Sequence, residues 1–248
     1  MIYFVGAGPG DPELITVKGK NALEAADLVI YTGSLINEEL LKYCRSDAEL
    51  INSAGLDLVE MIDLMEKANN EGKYVVRLHT GDPSLYGAIG EQANILSQKD
   101  IPFENIPGVS SFLAAAASVK RQYTIPDGSQ TVIITRIEGR TPVPEKEQLS
   151  KLAEHQASMV IFLSVSMIDN VVEELLQEYK PDTPIAVVEK ASWPDERVVK
   201  GTLSNIAQLV KENQITKTAL ILVGEFLEKT GVSKLYSKDF EHEYRASK

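Results

Sequence analysis

Long apolar runs are missing from this chain of 248 residues, and with them the first class of function to consider. No uninterrupted apolar stretch approaches the roughly 18 residues that a membrane-spanning helix needs. The opening run Met1 to Val5 stops at Gly6, without a basic leader or a small-residue cleavage site, so it reads as a first strand and not as a signal peptide. A cytoplasmic protein with no membrane partner is expected. The single cysteine, Cys44, excludes an internal disulfide. Beside Leu41, Tyr43 and Arg45 it reads as a helix residue of no chemical role in preference to a nucleophile. The three histidines, His79, His155 and His242, are too scattered for a zinc site, and no metal is expected. A concentrated Lys/Arg face is lacking too, and the formal charge is −11, which argues against a nucleic-acid partner.

What is present points to a packed α/β protein. Apolar residues make up 44% of the chain and charged residues 25%, the balance of a globular chain and not of a disordered one. Short runs rich in Val and Ile (Ile2 to Val5, Leu28 to Tyr31, Tyr74 to Leu78, Phe103 to Ile106, Val132 to Thr135, Val160 to Leu163, Ile185 to Val188 and Leu220 to Val223) alternate with longer amphipathic stretches. Leu56 to Ala68 and Ile168 to Leu176 each carry one apolar and one charged face, and predict helices that cover a sheet. Turn chemistry at Tyr123 to Gly128 places a boundary between the alanine-rich helix Ser110 to Val119 and the strand at Val132. Two α/β domains of similar size follow, residues 1–122 and 123–248. The prolines of Glu138 to Glu145 predict an irregular loop after the strand that ends at Arg136. The charged tail from Ser233 to Lys248 has too few apolar residues for a core element, and either docks on a neighbour or frays.

Three loops carry candidate chemistry. The first strand runs into Gly6-Ala7-Gly8-Pro9-Gly10-Asp11-Pro12, at a strand's carboxyl end, where open α/β sheets bind ligands. A tight turn without a ligand explains these glycines about as well. A dinucleotide fingerprint would put glycine at position 11 and an acidic residue near the end of the second strand, but the chain has Asp11 and then Tyr31-Thr32-Gly33. No Gly-Lys-Ser/Thr follows, so a phosphate loop is disfavoured further. The second loop, His79-Thr80-Gly81-Asp82-Pro83-Ser84-Leu85-Tyr86-Gly87, either admits a ligand at Gly81 or is a turn in which Asp82 caps the next helix. The third, Pro107-Gly108-Val109-Ser110-Ser111, offers Ser110 as an N-cap.

Taken together, Gly6 to Thr16, the Thr80-Gly81-Asp82-Pro83 loop and Pro107 to Ser111 resemble the tetrapyrrole (corrin/porphyrin) methylase family, the class III methyltransferases. Within it, Thr135-Arg136-Ile137-Glu138-Gly139-Arg140-Thr141-Pro142-Val143-Pro144-Glu145 and Ala191-Ser192-Trp193-Pro194-Asp195-Glu196 are similar to the members that methylate C11 of precorrin-4 or cobalt-precorrin-4 on the route to cobalamin. The similarity extends to the tail strings Leu235-Tyr236 and Tyr244-Arg245. The resemblance implies a homodimer of two-domain α/β chains, with S-adenosyl-L-methionine in a cleft between the domains and S-adenosyl-L-homocysteine as product. It implies cofactor contacts at Pro9, Thr80, Gly81, Asp82, Leu85, Ser110 and Ser111, then at Leu163, Ala191, Ser192, Ala219 and Leu220.

A sulfonium methyl is already activated, so transfer needs alignment more than an acid, a base or a metal, and no catalytic residue of that kind is named. The carboxylates of a tetrapyrrole substrate call for fixed cations, which an acidic protein must gather locally. Arg136 and Arg140 are the candidates, with Lys18 a third, and a solvated surface role stands beside each. Three rivals remain: another tetrapyrrole methylase such as a uroporphyrinogen III methyltransferase, an NAD-binding oxidoreductase, and a non-catalytic α/β binding module. Whether the substrate carries cobalt is open at this point.

Overall fold

The alternation of Val/Ile-rich runs with amphipathic stretches becomes two five-stranded sheets in the computed structural model, which describes residues 1–233. Most of the charged tail, with His242 and the strings at Leu235-Tyr236 and Tyr244-Arg245, lies outside the described residues. The chain divides into two units, Met1–Ala114 with Lys190–Asp195, and Ala115–Glu189 with the residues from Glu196 onward. Among the described residues no helix is long and apolar enough to cross a membrane.

The first unit holds β1 (Ile2–Gly6), α1 (Val17–Ala25), β2 (Leu28–Tyr31), β3 (Glu49–Asn52), α2 (Leu58–Asn70), β4 (Val75–His79), α3 (Ile89–Gln98) and β5 (Phe103–Ile106). Its sheet runs β3-β2-β4-β1-β5 with every pair parallel. Successive side chains of a strand point to opposite faces, and β1 shows the result. Val5 joins Val29, Val76, Leu78 and Ile106 beneath Ala22 and Leu23 of α1. Ile2 and Phe4 join Ile30 and Val75 beneath Ile62 and Met65 of α2 and Leu96 of α3. Burying one such side chain contributes about 1.5–3 kcal/mol, so two filled faces hold this layer together. Thr16 caps α1 by accepting from the Gly19 N–H, and Asp57 with Glu60 forms a capping box on α2.

The helix α4 (Ser111–Val119) leads on, and the second unit holds β6 (Val132–Arg136), α5 (Leu149–Ala153), β7 (Ser158–Phe162), α6 (Ile168–Leu175), β8 (Pro184–Glu189), β9 (Arg197–Thr202), α7 (Ile206–Glu212) and β10 (Ala219–Val223). The order is β6-β7-β10-β8-β9; only β6–β7 is parallel. Its core is formed by Met159, Ile161, Val187 and Ile221 of the sheet against Leu149, Val171, Leu175, Ile206 and Val210 of the helices. Residues 138–144 form no helix or strand, as the prolines predict.

Candidate active site

In the first unit β1 lies between β4 and β5, and parallel pairing sets their three carboxyl ends side by side. The three ligand-type loops of the sequence therefore meet, and they meet through backbone. Gly8 and Gly81 form an antiparallel bridge: the Gly81 N–H donates to the Gly8 carbonyl at 2.8 Å, and the Gly8 N–H to the Gly81 carbonyl at 3.2 Å. A Cβ on Gly108 would stand 2.1 Å from the Gly81 carbonyl oxygen, and one on Gly6 would stand 2.5 Å from the Gly108 Cα. Gly6 and Gly108 are thus required by each other's loops. Gly81 is required for another reason, its φ of +62°.

Asp82 fastens the same junction. One carboxylate oxygen accepts from the Gly108 N–H at 2.8 Å, and the other accepts from the Ser84 N–H at 2.8 Å and from the Ser84 hydroxyl. Burial alone would raise this carboxyl, but the bonds from Ser84 and Gly108 outweigh it and hold Asp82 below its ordinary value. The expectation that Asp82 caps the following helix is corrected. α3 begins only at Ile89, behind Ala88 in a left-handed conformation and without a side-chain cap. The shorter reach of an Asx turn within the loop takes the carboxylate instead.

The remaining first-unit candidates lie around this junction. Thr80 donates to the Leu35 carbonyl at 3.1 Å, and its hydroxyl stands 3.4 Å from that of Thr32. Half-buried Leu85 closes a turn onto the Asp82 carbonyl at 3.2 Å. Ser110 is buried, and Ser111 opens α4. Residues 190–195 belong to this unit. Ala191 is buried there, and Ser192, with φ +70°, accepts the Asp11 N–H at 3.0 Å. Lys18 is committed elsewhere, in an exposed ion pair with Glu104.

The second unit gathers its candidates at one end of its strands. Arg136 pairs with Phe162 where β6 and β7 end, and Leu163 follows at once. Antiparallel pairing of Ile221 with Ile161 brings Ala219 to that end, whereas Leu220 is buried in the sheet. Leu163 has φ +54° and is 68% exposed. An exposed leucine in strained backbone does no packing that would explain it, and such residues cluster at functional sites. The Arg136 guanidinium is spent on its own loop, donating to the carbonyls of Ile137 (3.3 Å), Thr141 (3.1 Å) and Pro142 (2.7 Å). Arg140, carried by that loop, is exposed, with no ion pair among the described residues.

A model of the Tetrapyrrole (Corrin/Porphyrin) Methylases matches residues 1–207. The chain belongs to that family. It is similar to a cobalt-precorrin-4 C(11)-methyltransferase of Methanocaldococcus jannaschii, 61% identical over 99% of this chain and 96% of the relative. Among solved structures it is similar to the cobalamin biosynthetic enzyme cobalt precorrin-4 methyltransferase, with a TM-score of 0.90 and 46% identity over 92% of this chain and 96% of that one. It is also similar to a uroporphyrin-III C-methyltransferase from Thermus thermophilus complexed with S-adenosyl homocysteine, with a TM-score of 0.78 and 30% identity over 91% of this chain and 98% of that one.

Two residues at the glycine loop of this tetrapyrrole methylase were not among the sequence candidates. Asn37 donates to the Gly10 carbonyl at 2.8 Å, and the Trp193 indole N–H donates to the Pro9 carbonyl at 3.0 Å. Nothing in the spacing around Asn37 marks it. Trp193 had a signal, as the chain's lone tryptophan within Ala191 to Glu196. Cys44 closes a 3₁₀ turn over Glu38–Tyr43, and burial pushes its thiol up, as suits a side chain that is no nucleophile.

Proposed function

We propose that the chain transfers a methyl group from S-adenosyl-L-methionine to C11 of cobalt-precorrin-4 in cobalamin biosynthesis. The observation that carries this reading is the 61% identity, over nearly the whole of both chains, to a relative bearing that activity in its name. The uroporphyrin-III enzyme, at 30%, is the more distant likeness and stands as the second reading.

The residues at the loop junction suit the methyl donor. Around it are the hydroxyls of Thr80, Ser110 and Ser111, the peptide groups of Pro9 and Gly81, and the ionised Asp82, with Lys18 tied to Glu104. Hydroxyls and peptide groups fit a ribose and an amino-acid moiety, whereas a phosphate ligand would call for a free cation or a Gly-Lys-Ser/Thr loop. In this reading Pro9, Thr80, Gly81, Asp82, Leu85, Ser110, Ser111, Ala191 and Ser192 hold the nucleoside from residues 1–122 and the 190–195 segment. Leu163, Ala219 and Leu220, of the second unit, are proposed as further nucleoside contacts. When bound, the donor supplies a methyl already activated on sulfonium. The protein's own task is to orient it and exclude water, which needs no acid or base. Arg140 is the residue assigned to a substrate carboxylate, because its guanidinium has no ion pair among the described residues. Arg136 acts by holding that loop. The same reading takes the protein to be a cytoplasmic homodimer.

The test is mass spectrometry of the macrocycle after incubation with methyl-labelled donor, with and without cobalt. Label at C11 of the cobalt-bearing substrate is expected. Label at another ring position, or on uroporphyrinogen III alone, overturns the assignment.

A further inference from the structure

We infer that Trp193 is a positioning residue that sets the glycine loop for the nucleoside; this rests on the reading above that the loop binds it. Its indole stands where a side chain on Gly10 would be: a Cβ there would lie 2.1 Å from the ring's Cδ1 and 2.2 Å from Nε1. The same ring donates from Nε1 to the Pro9 carbonyl at 3.0 Å. One residue earlier, Ser192 takes the Asp11 N–H at 3.0 Å. Asn37 holds the Gly10 carbonyl from a third direction at 2.8 Å. Three consecutive residues of the loop, Pro9, Gly10 and Asp11, are therefore each gripped from outside the loop.

The segment that does this is itself constrained. Lys190 (φ +49°) and Ser192 (φ +70°) adopt left-handed conformations, the Trp193 N–H closes a turn onto the Lys190 carbonyl at 2.9 Å, and Lys190 pairs with Asp195 across the turn. Left-handed backbone at two non-glycine residues persists only where the surroundings over-determine it, and is typical of ligand clamps. A loop already held in its binding conformation loses less freedom when the ligand arrives, so affinity rises without any new contact to the ligand. The Pro9 carbonyl retains a second lone pair, so its bond to Trp193 does not stop it from facing a ligand.

Calorimetry of S-adenosyl-L-homocysteine binding to the full chain tests this with Trp193→Phe, Trp193→Ala, Gly10→Ala and the double variant Gly10→Ala/Trp193→Ala. Trp193→Phe keeps a ring against Gly10 and removes only the donor, and is expected to weaken binding about 3- to 10-fold. Trp193→Ala removes both, and about 10- to 100-fold is expected. Gly10→Ala drives a methyl into the indole and weakens binding comparably in the wild-type background. With the ring gone the three atoms nearest that methyl are gone too, so the double variant should bind no worse than Trp193→Ala. That coupling, and the partial rescue by Phe, would not arise from a residue that merely stabilised the fold. Wild-type affinity in both Trp193 variants, or losses that multiply in the double variant, overturn the inference alone. A wild-type chain that binds no nucleoside overturns the cofactor reading and takes the inference with it.

Discussion

The two sheets prepare their ends for ligand chemistry in opposite ways. In the parallel sheet of the first unit, three loops touch through backbone, at Gly6, Gly8, Gly81 and Gly108, and Asp82 ties two of them together. In the mixed sheet of the second unit, the end where β6 and β7 finish and β10 starts presents side chains: an exposed Leu163 in a left-handed conformation and an exposed Arg140. The first arrangement is fixed by sterics and cannot adapt without unfolding locally. The second leaves side chains that can adjust to a large ligand. A nucleoside of constant shape would ask for the first design, and the freedom of Arg140 in the second would suit a bulky macrocycle.

The sharpest way to break the contrast is Gly108→Ala. Its methyl would enter the Gly81 carbonyl at 2.1 Å, with backbone on both sides, and a loss of about 3 kcal/mol is expected for overpacking of that kind. Gly81→Ala has room, its Cβ meeting nothing closer than 3.6 Å, and suffers only the left-handed backbone, about 1 kcal/mol. Urea denaturation of the two variants decides. Equal losses would mean that the loops are not interlocked.

A second difference is one of pH. His79 ends β4 on the face covered by α2 and α3, 3% exposed, with Nε2 lacking a partner among the described residues. Burial, and then the charge of Arg77, push it down to about 3 from an ordinary 6.5. Between those values the unfolded chain takes up a proton that the folded chain refuses, so stability falls as pH falls through that window. His79→Phe, beside Phe4 whose ring lies 5.9 Å away, should keep most of its neutral-pH stability and flatten the decline between pH 6.5 and 3. Parallel curves for the two proteins would show that His79 is not held neutral.

The fold was largely legible wherever burial forced an apolar run. Leu28 to Tyr31 and Phe103 to Ile106 are strands as the sequence predicts, and both unit cores use the predicted helix faces. The two strands missed, β3 and β9, are sheet edges. Glu49-Leu50-Ile51-Asn52 is mostly exposed, and Arg197 to Thr202 has only Val198 and Val199 as an apolar pair, so neither carries an apolar run, unlike β6, also a sheet edge, with Val132, Ile133 and Ile134. At the site, the loops were legible as glycine-rich turns at strand ends, but not what the glycines were for. Close backbone approach between Gly6, Gly81 and Gly108 joins residues that are distant in sequence, and no local pattern encodes it. Arg136 was misleading for a different reason. A charged residue next to an irregular loop looks like a ligand cation until its donors are found on that loop's own carbonyls.

That division of labour between the two arginines sharpens the comparison inside the second unit. Arg136→Ala frees three carbonyl contacts and should cost about 1–2 kcal/mol while loosening the whole loop. Arg140→Ala should leave stability within about 0.5 kcal/mol of wild type. It should weaken tetrapyrrole binding about tenfold, since a charge-assisted contact is lost, and leave nucleoside affinity unaltered. Equal loss of both ligands in calorimetry would remove Arg140 from the substrate side.

The smallest effect is expected at Leu163, where two contributions nearly cancel. Left-handed backbone costs a leucine about 1–2 kcal/mol that glycine escapes. Glycine gives back about 0.5–1 kcal/mol through the greater freedom of the unfolded chain. At 68% exposure the leucine side chain has little burial to lose. Leu163→Gly should therefore unfold within about 1 kcal/mol of wild type, and any fall in nucleoside affinity then belongs to the missing side chain. A variant that is more stable and binds as before would make Leu163 a strained residue without a ligand to explain it. A variant that is clearly less stable would mean that the side chain packs more than its exposure indicates.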